Sequence, residues 1–396
     1  MASFSVRFLG CKVSQVDAQT IRERLLADGH SEHEDAAEIA VVNTCCVTHE
    51  AVRKSRHAAS RAARTHRRVY VTGCGANLAS DGFDGLPENV VVVARQSEDA
   101  PAYVAHDVGA IGCVQADVRL DRVRAFVKVQ DGCSFSCGFC VIPLVRGPSR
   151  SRPAEAVLRE VRKRVAQGHR EVVLTGINLG CYRDREARFA LPRLVREAGA
   201  TSGLARLRLS SIEVNHVDAE LVRALRETPT VARHLHVPLQ SGDDGVLRAM
   251  GRRYDAATYL RRVEPLRDFN LTTDAIVGFP GEDEAAFRGT MDVVAEAGIT
   301  KVHVFPYSPR PGTATAAADT VPVEVKRDRS QRLREQSRSA SLERWRQKVG
   351  CEDVVLVDRP GRGYGDDYSP WLVGGPVGEL VRVRGGAVTE EGILAA

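Results

Sequence analysis

At 396 residues the chain is long enough for two or three domains and a sizeable core, and 43% hydrophobic with 27% charged residues is the balance of an ordinary soluble protein. No apolar run approaches the roughly 20 residues of a membrane helix, and the start MASFSVRF lacks a secretory signal pattern. Ten cysteines, several at strand ends, argue for reduced, metal-binding thiols in a cytoplasmic protein and against a disulfide framework. The net charge of +5 is uneven, because Lys326 to Lys348 carry nine Lys/Arg against three Asp/Glu and the rest is near neutral. A solvated helix face is the plain explanation of that run; a polyanion such as RNA is the functional one.

Residues 1–115 alternate short apolar strands with helical patterns, which predicts a parallel sheet. Ser5-Val-Arg-Phe-Leu runs into Gly10-Cys11-Lys12, Ile39-Ala-Val-Val-Asn into Thr44-Cys45-Cys46, and Val69-Tyr-Val-Thr into Gly73-Cys74-Gly75. Three times a strand ends and a cysteine sits at the turn. Ligands of an open parallel sheet bind outside the carboxyl ends of its strands, so the three cysteines suit one thiolate-ligated centre. Three small buried residues is the plain alternative. Cys46 is a spare beside Cys45, and spacing does not say which faces inward.

Residues 116–124 read as a link. After the alternating run from Ala125 comes Cys133-Ser-Phe-Ser-Cys137-Gly-Phe-Cys140. Three thiolates at this spacing hold three irons of a cubane cluster and leave the fourth iron open to chelate a small molecule. Structural zinc wants four closed ligands, and no nearby Cys or His completes the set. Arg146, Arg150 and Arg152 follow, suited to phosphate, to shielding the cluster, or to solvent alone.

From Ala125 to about Pro309 six strands, each followed by a helix or loop, predict a partial parallel barrel: 126–129, 171–174, 206–209, 234–237, 273–277 and 301–305. Polar or glycine-rich ends follow them in Thr175-Gly-Ile-Asn178, Ser210-Ser-Ile-Glu213, Pro238-Leu-Gln240-Ser-Gly242 and Gly278-Phe-Pro-Gly-Glu282. Each polar residue there is a cofactor contact or a cap. His234 and His236 share one strand face and read as satisfied core or rim residues. Cys113, Cys181 and Cys351 have no partner at ligand spacing and read as structural. An Ala/Thr-rich link leads to the basic helix, and the last fifty residues form short strands between glycine-rich turns, a small β-barrel. Such barrels commonly display basic and aromatic groups to nucleic acid.

The Cys133/Cys137/Cys140 spacing resembles the signature of the radical SAM superfamily. Leu9-Gly-Cys11-Lys-Val-Ser-Gln15, Asn43-Thr-Cys45 and Thr72-Gly-Cys74 sharpen the resemblance to its methylthiotransferase family, and the C-terminal module resembles that family's TRAM domain in short form. Ser14 departs from the usual Asn, and Cys46 stands where Thr or another residue is common. The resemblance implies an N-terminal domain over 1–115, a (β/α)6 radical SAM partial barrel over 119–325, a basic helix over 326–350 and a TRAM-like module over 351–396. It implies two [4Fe–4S] clusters, one on Cys133, Cys137 and Cys140 and an auxiliary one on Cys11, Cys45 and Cys74. It assigns Asn178, Glu213, Gln240 and Arg253 to S-adenosylmethionine. A tRNA is the implied partner, with a flavodoxin or ferredoxin as electron donor, an unidentified sulfur donor and no membrane.

Leu9-Gly-Cys11-Lys-Val, Val129-Gln-Asp-Gly-Cys133, Arg146-Gly-Pro and His303-Val-Phe-Pro-Tyr-Ser look most like the branch acting on N6-threonylcarbamoyladenosine beside the anticodon. The implied reaction places a methylthio group at adenine C2, after a 5′-deoxyadenosyl radical removes its hydrogen. Sister enzymes act on isopentenyladenosine in tRNA or on a ribosomal protein aspartate. A non-catalytic iron–sulfur protein that binds RNA is the alternative from another class.

Overall fold

The computed structural model describes residues 2–33, 37–78, 82–94, 100–109 and 123–396. Cys113 and the expected link over 116–122 lie outside the described residues. The chain divides into two compact units: Met1–Arg119 with Asp131–Arg150 and Ser308–Ala317, and Leu120–Gln130 with Ser151–Tyr307 and Ala318–Ala396. Among the described residues no helix is long and apolar enough to cross a membrane.

The first unit is built on a five-stranded parallel sheet. Its central strand, Ile39–Thr44, is buried along its whole length, as continuous β-branched runs are when helices cover both faces. Ser3–Phe8 and Arg68–Gly73 flank it, with Ser31–Glu32 and Val90–Val92 at the edges. The helix Lys12–Ala27 packs Ile21 and Leu25 against Phe4, Ile39 and Val41 on one face. His49–Ala63, capped by the Thr48 hydroxyl accepting from Ala51 N–H, packs Ala58 and Ala59 on the other.

In the second unit the six expected strands lie in the order Arg124–Asp131, Glu171–Gly176, Arg206–Leu209, His234–His236, Asn270–Val277 and Lys301–Pro306. Ladders join the first three and the last three in parallel, and Ile212 N–H donating to His236 O links the two groups. Among the described residues no ladder returns from the last strand to the first, so the barrel is partial. Alternation sorts the strand side chains. Leu207, Leu209, Leu235, Val237, Leu271 and Ala275 join the helix residues in one large core. Arg206, Arg208, His234, His236, Thr272, Asp274 and His303 lie on the opposite face, which gives this barrel a polar lumen where a closed one has layers of apolar side chains.

At the amino-terminal end of these strands Glu171 is fully buried among Arg124, Arg206 and Arg208, with ion-pair distances of 3.1, 3.2 and 2.8 Å. The C-terminal module closes that end. It is a closed five-stranded barrel of Glu352–Arg359, Arg362–Tyr364, Pro370–Leu372, Gly392–Ala395 and Leu380–Thr389. Its Gly365 and Asp366 carbonyls accept from Arg208 at 2.7 and 2.9 Å, and stacked Tyr364 and Tyr368 lie under the Arg124 guanidinium. Trp371 is buried, and these two tyrosines are half-buried.

The helix Val323–Arg346 spends much of its basic surplus inside the unit. Lys326 pairs with Asp319, Arg329 with Glu282 and Arg344 with Asp367, and just beyond it Lys348 pairs with Asp353 and Asp367.

Candidate functional site

Cys11, Cys45 and Cys74 follow the carboxyl ends of three neighbouring strands in the first unit's sheet. Glycines let the turns close on each other. At Gly10, with φ +130°, a Cβ would stand 3.2 Å from Cys45 Cβ; at Gly73, with φ +85°, it would stand 2.6 Å from Asn43 Oδ1 and 2.7 Å from Thr44 O. Ser55 Oγ holds the Cys45 backbone from both sides, accepting from its N–H at 3.2 Å and donating to its carbonyl at 3.3 Å. Burial pushes the Cys45 thiol up to about 11, and the neighbouring Cys74 and Cys11 thiols push the same way against the Val47 N–H.

Cys46 is also buried here, against Cys74, Val141 and Val145. Its hydrogen bond to Cys74 holds Cys46 in the thiol form and favours the Cys74 thiolate. Cys74 gains a stronger donor in Arg146, whose Nε lies 2.9 Å from Cys74 Sγ. The rest of that buried guanidinium is divided between Asp131, at 3.0 and 3.2 Å, and Asp17, at 2.8 Å. One planar fork with five donors serves three acceptors from separate segments, which a lysine does not reproduce. Arg310, buried beside Cys45 and Cys46, has Nε and Nη1 without a hydrogen-bond partner among the described residues. Three convergent thiols with two buried guanidiniums fit an anionic thiolate-ligated cluster.

Cys133, Cys137 and Cys140 occupy one turn of the same unit, all half-buried. Cys133 N–H donates to Gly147 O at 3.0 Å, Cys140 N–H to Cys137 O at 3.1 Å, and the Thr315 hydroxyl to Gly138 O at 2.9 Å. This donor set fits three irons of a cubane. Of the nearby arginines, Arg150 donates to the Arg146 and Pro148 carbonyls, and Arg152 to Lys128 O and Glu160.

In the second unit, Asn178 donates its N–H to Gln130 Oε1 at 2.8 Å, while its buried Oδ1 has no partner among the described residues. An orphaned acceptor at a strand end fits a bound cofactor's N–H or O–H. Glu213 is buried and caps the turn Val214–His216, accepting from Asn215 N–H at 3.0 Å. Arg252, 3.6 Å away, faces its carboxylate, whereas Arg253 is exposed. Gln240 has φ +68°, a strained conformation of the kind that clusters at ligand sites. Cys181 and His216, 3.3 Å apart, join the loops that carry Asn178 and Glu213. Cys351 is exposed.

Residues 127–294 match the radical SAM superfamily, and residues 3–94 match an uncharacterized protein family, UPF0004. The threonylcarbamoyladenosine tRNA methylthiotransferase MtaB of Thermotoga maritima is 34% identical, covering 100% of this chain and 97% of the relative. The chain belongs to the methylthiotransferase family of radical SAM enzymes. The MtaB of Bacillus subtilis is 34% identical over 84% of this chain and 80% of its own, and a tRNA-2-methylthio-N(6)-dimethylallyladenosine synthase of Cereibacter sphaeroides is 34% identical over 96% and 94%. Among solved structures, the radical S-adenosylmethionine methyltransferase TsrM of Kitasatospora setae superposes with a TM-score of 0.55 at 14% identity, over 80% of this chain and 74% of that one, a likeness of fold alone.

This methylthiotransferase is therefore a radical SAM enzyme that transfers a sulfur-containing group, with S-adenosylmethionine and [4Fe–4S] clusters as cofactors. The strand-end cysteines were readable because each follows an apolar run. Asp17, Asp131 and Arg310 were not, because their roles depend on segments far apart in sequence; Asp17 is signalled only as a charge inside an apolar helix face and Asp131 only as a charge beside a cysteine motif.

Proposed function

We propose that this methylthiotransferase acts on N6-threonylcarbamoyladenosine beside the anticodon, inserting a methylthio group at adenine C2. The observation that carries the substrate choice is the polar lumen of the partial barrel, with His234, His236, Thr272, Asp274 and His303 on one face. A threonylcarbamoyl group is polar and ionised, and it suits this polar face better than an apolar dimethylallyl group does. An aromatic C–H has no acid–base or nucleophilic route at neutral pH. Radical chemistry is the remaining one, and S-adenosylmethionine with a reduced cluster supplies it.

In this reading Cys133, Cys137 and Cys140 hold the radical-generating cluster, and Cys11, Cys45 and Cys74 hold an auxiliary cluster that presents sulfur. Cys45 is the second ligand in this reading, and Cys46 is the thiol that hydrogen-bonds Cys74. Arg146 fixes Cys74 and carries the charge balance for Asp17 and Asp131. Asn178 Oδ1, the Gln240 turn and Glu213 with Arg252 orient S-adenosylmethionine; Arg253 is an outer contact. The domain limits in this reading are 1–115, 119–325, 326–350 and 351–396. A flavodoxin or ferredoxin delivers the electron, the compartment is the cytoplasm, and exposed Arg359, Arg382 and Arg384 of the C-terminal barrel offer the tRNA backbone its cations.

The test is incubation of the reconstituted enzyme with tRNA carrying either modified adenosine, followed by nucleoside mass spectrometry. The reading requires methylthiolation of the threonylcarbamoyl nucleoside in preference to the dimethylallyl one. The reverse preference would overturn the substrate assignment.

A further inference from the structure

The geometry points to a divalent transition-metal site in the lumen of the partial barrel, formed by His236, Asp274 and His303. The three residues stand on three consecutive parallel strands, on the face turned away from the helices. Asp274 is in register with His303, and His236 with Thr272, two residues before Asp274. One donor atom from each lies within 4.8 Å of the other two.

One pair already has metal-ligand spacing. His236 Nε2 and Asp274 Oδ2 are 3.3 Å apart, and zinc bonds of about 2.0–2.1 Å put tetrahedral ligand atoms about 3.4 Å apart. Supporting contacts set the orientation. His236 Nδ1 lies 2.9 Å from Thr272 Oγ1, which turns Nε2 toward Asp274, and Thr272 Oγ1 is itself 3.1 Å from His234 Nε2. A ligating histidine is characteristically held this way through its other ring nitrogen. His236 is buried, Asp274 half-buried and His303 exposed, so the donors run from the core to the solvent side, and His303 closes the remaining distance.

Two imidazoles and one carboxylate select zinc or a divalent iron-group ion over calcium or magnesium. Three protein ligands leave a coordination position open, as in sites that bind water or an oxygen ligand rather than in purely structural zinc sites. The site uses three side chains of the same polar lumen that supports the substrate reading, and it stands apart from the two cysteine-ligated clusters.

The test uses the full chain, anaerobically reconstituted so that the cluster thiolates are occupied, equilibrated with Zn2+ alone and analysed for bound zinc per chain. One zinc is expected beyond that held by Asp274→Asn. His303→Ala weakens binding on the order of a hundredfold, Thr272→Val about tenfold, and Cys181→Ser leaves it unchanged. His303 is exposed, so its replacement leaves the fold intact, with unchanged iron content as the check. Equal zinc in wild type, Asp274→Asn and His303→Ala would mean an adventitious ion only. No zinc in the wild type would mean a hydrogen-bonded His–Asp pair only. Either result overturns the site.

Discussion

Replacing Arg146 with glutamine tests the arrangement around Cys74 at its centre. The guanidinium is buried and bonded to Cys74, Asp131 and Asp17. The shorter, neutral amide leaves two buried carboxylates without their cation. Breaking a buried ion pair from one side costs about 3–5 kcal/mol, a large share of the about 5–15 kcal/mol that holds a typical protein folded. The folded-to-unfolded ratio should fall by roughly a hundredfold to a few thousandfold. Cys74 also loses its charged donor, so the auxiliary cluster should load poorly and iron should fall from about eight toward about four per chain. Chemical denaturation and iron analysis of the same preparation read both effects. Arg146→Lys keeps the charge without the fork and should fall between. Adding Asp17→Asn and Asp131→Asn to Arg146→Gln should recover part of the stability, because no unpaired charge then remains buried. An Arg146→Gln protein with the wild-type denaturation midpoint and full iron would refute this reasoning.

Three further outcomes follow from the same geometry. Cys45→Ser should cost about four irons while Cys46→Ser retains about eight, which iron analysis of the two variants distinguishes. Glu171→Gln should lower stability at neutral pH by about 3 kcal/mol or more, since Arg208, Arg206 and Arg124 lose the buried carboxylate they share. Burial alone would raise the Glu171 pKa, but Arg208, Arg124 and Arg206 outweigh it and hold it low. Its contribution is therefore present above the ordinary carboxylate pKa and lost as pH falls through the depressed folded value, so wild type and Glu171→Gln should converge in acid denaturation. Tyr368→Ala should loosen the C-terminal barrel from the strand ends by removing the ring under Arg124 and Arg208, seen as faster proteolysis in that module.

The sheet, the partial barrel and the three strand-end cysteines were legible because apolar runs of strand length alternate with helical patterns, and each run stops at a turn signal. The polar lumen was latent in the same text. Arg206-Leu-Arg-Leu and His234-Leu-His-Val alternate with period two, and that period places every charged or imidazole side chain on one face. What sequence does not contain is the pairing. The surplus of the basic helix is quenched by Asp319, Glu282 and Asp367, which no local spacing connects to Lys326, Arg329 and Arg344. Arg252 and Arg253 differ only in direction along an irregular segment, and backbone geometry decides that Arg252 meets Glu213.

Iron and acid-labile sulfide per chain after anaerobic reconstitution, compared between the wild type and a Cys133→Ala/Cys137→Ala/Cys140→Ala variant, test the two-cluster arrangement most directly. About eight irons falling to about four are predicted, from two independent three-cysteine cubane sites. About four irons falling to none would contradict it, since Cys11, Cys45 and Cys74 would then hold no cluster.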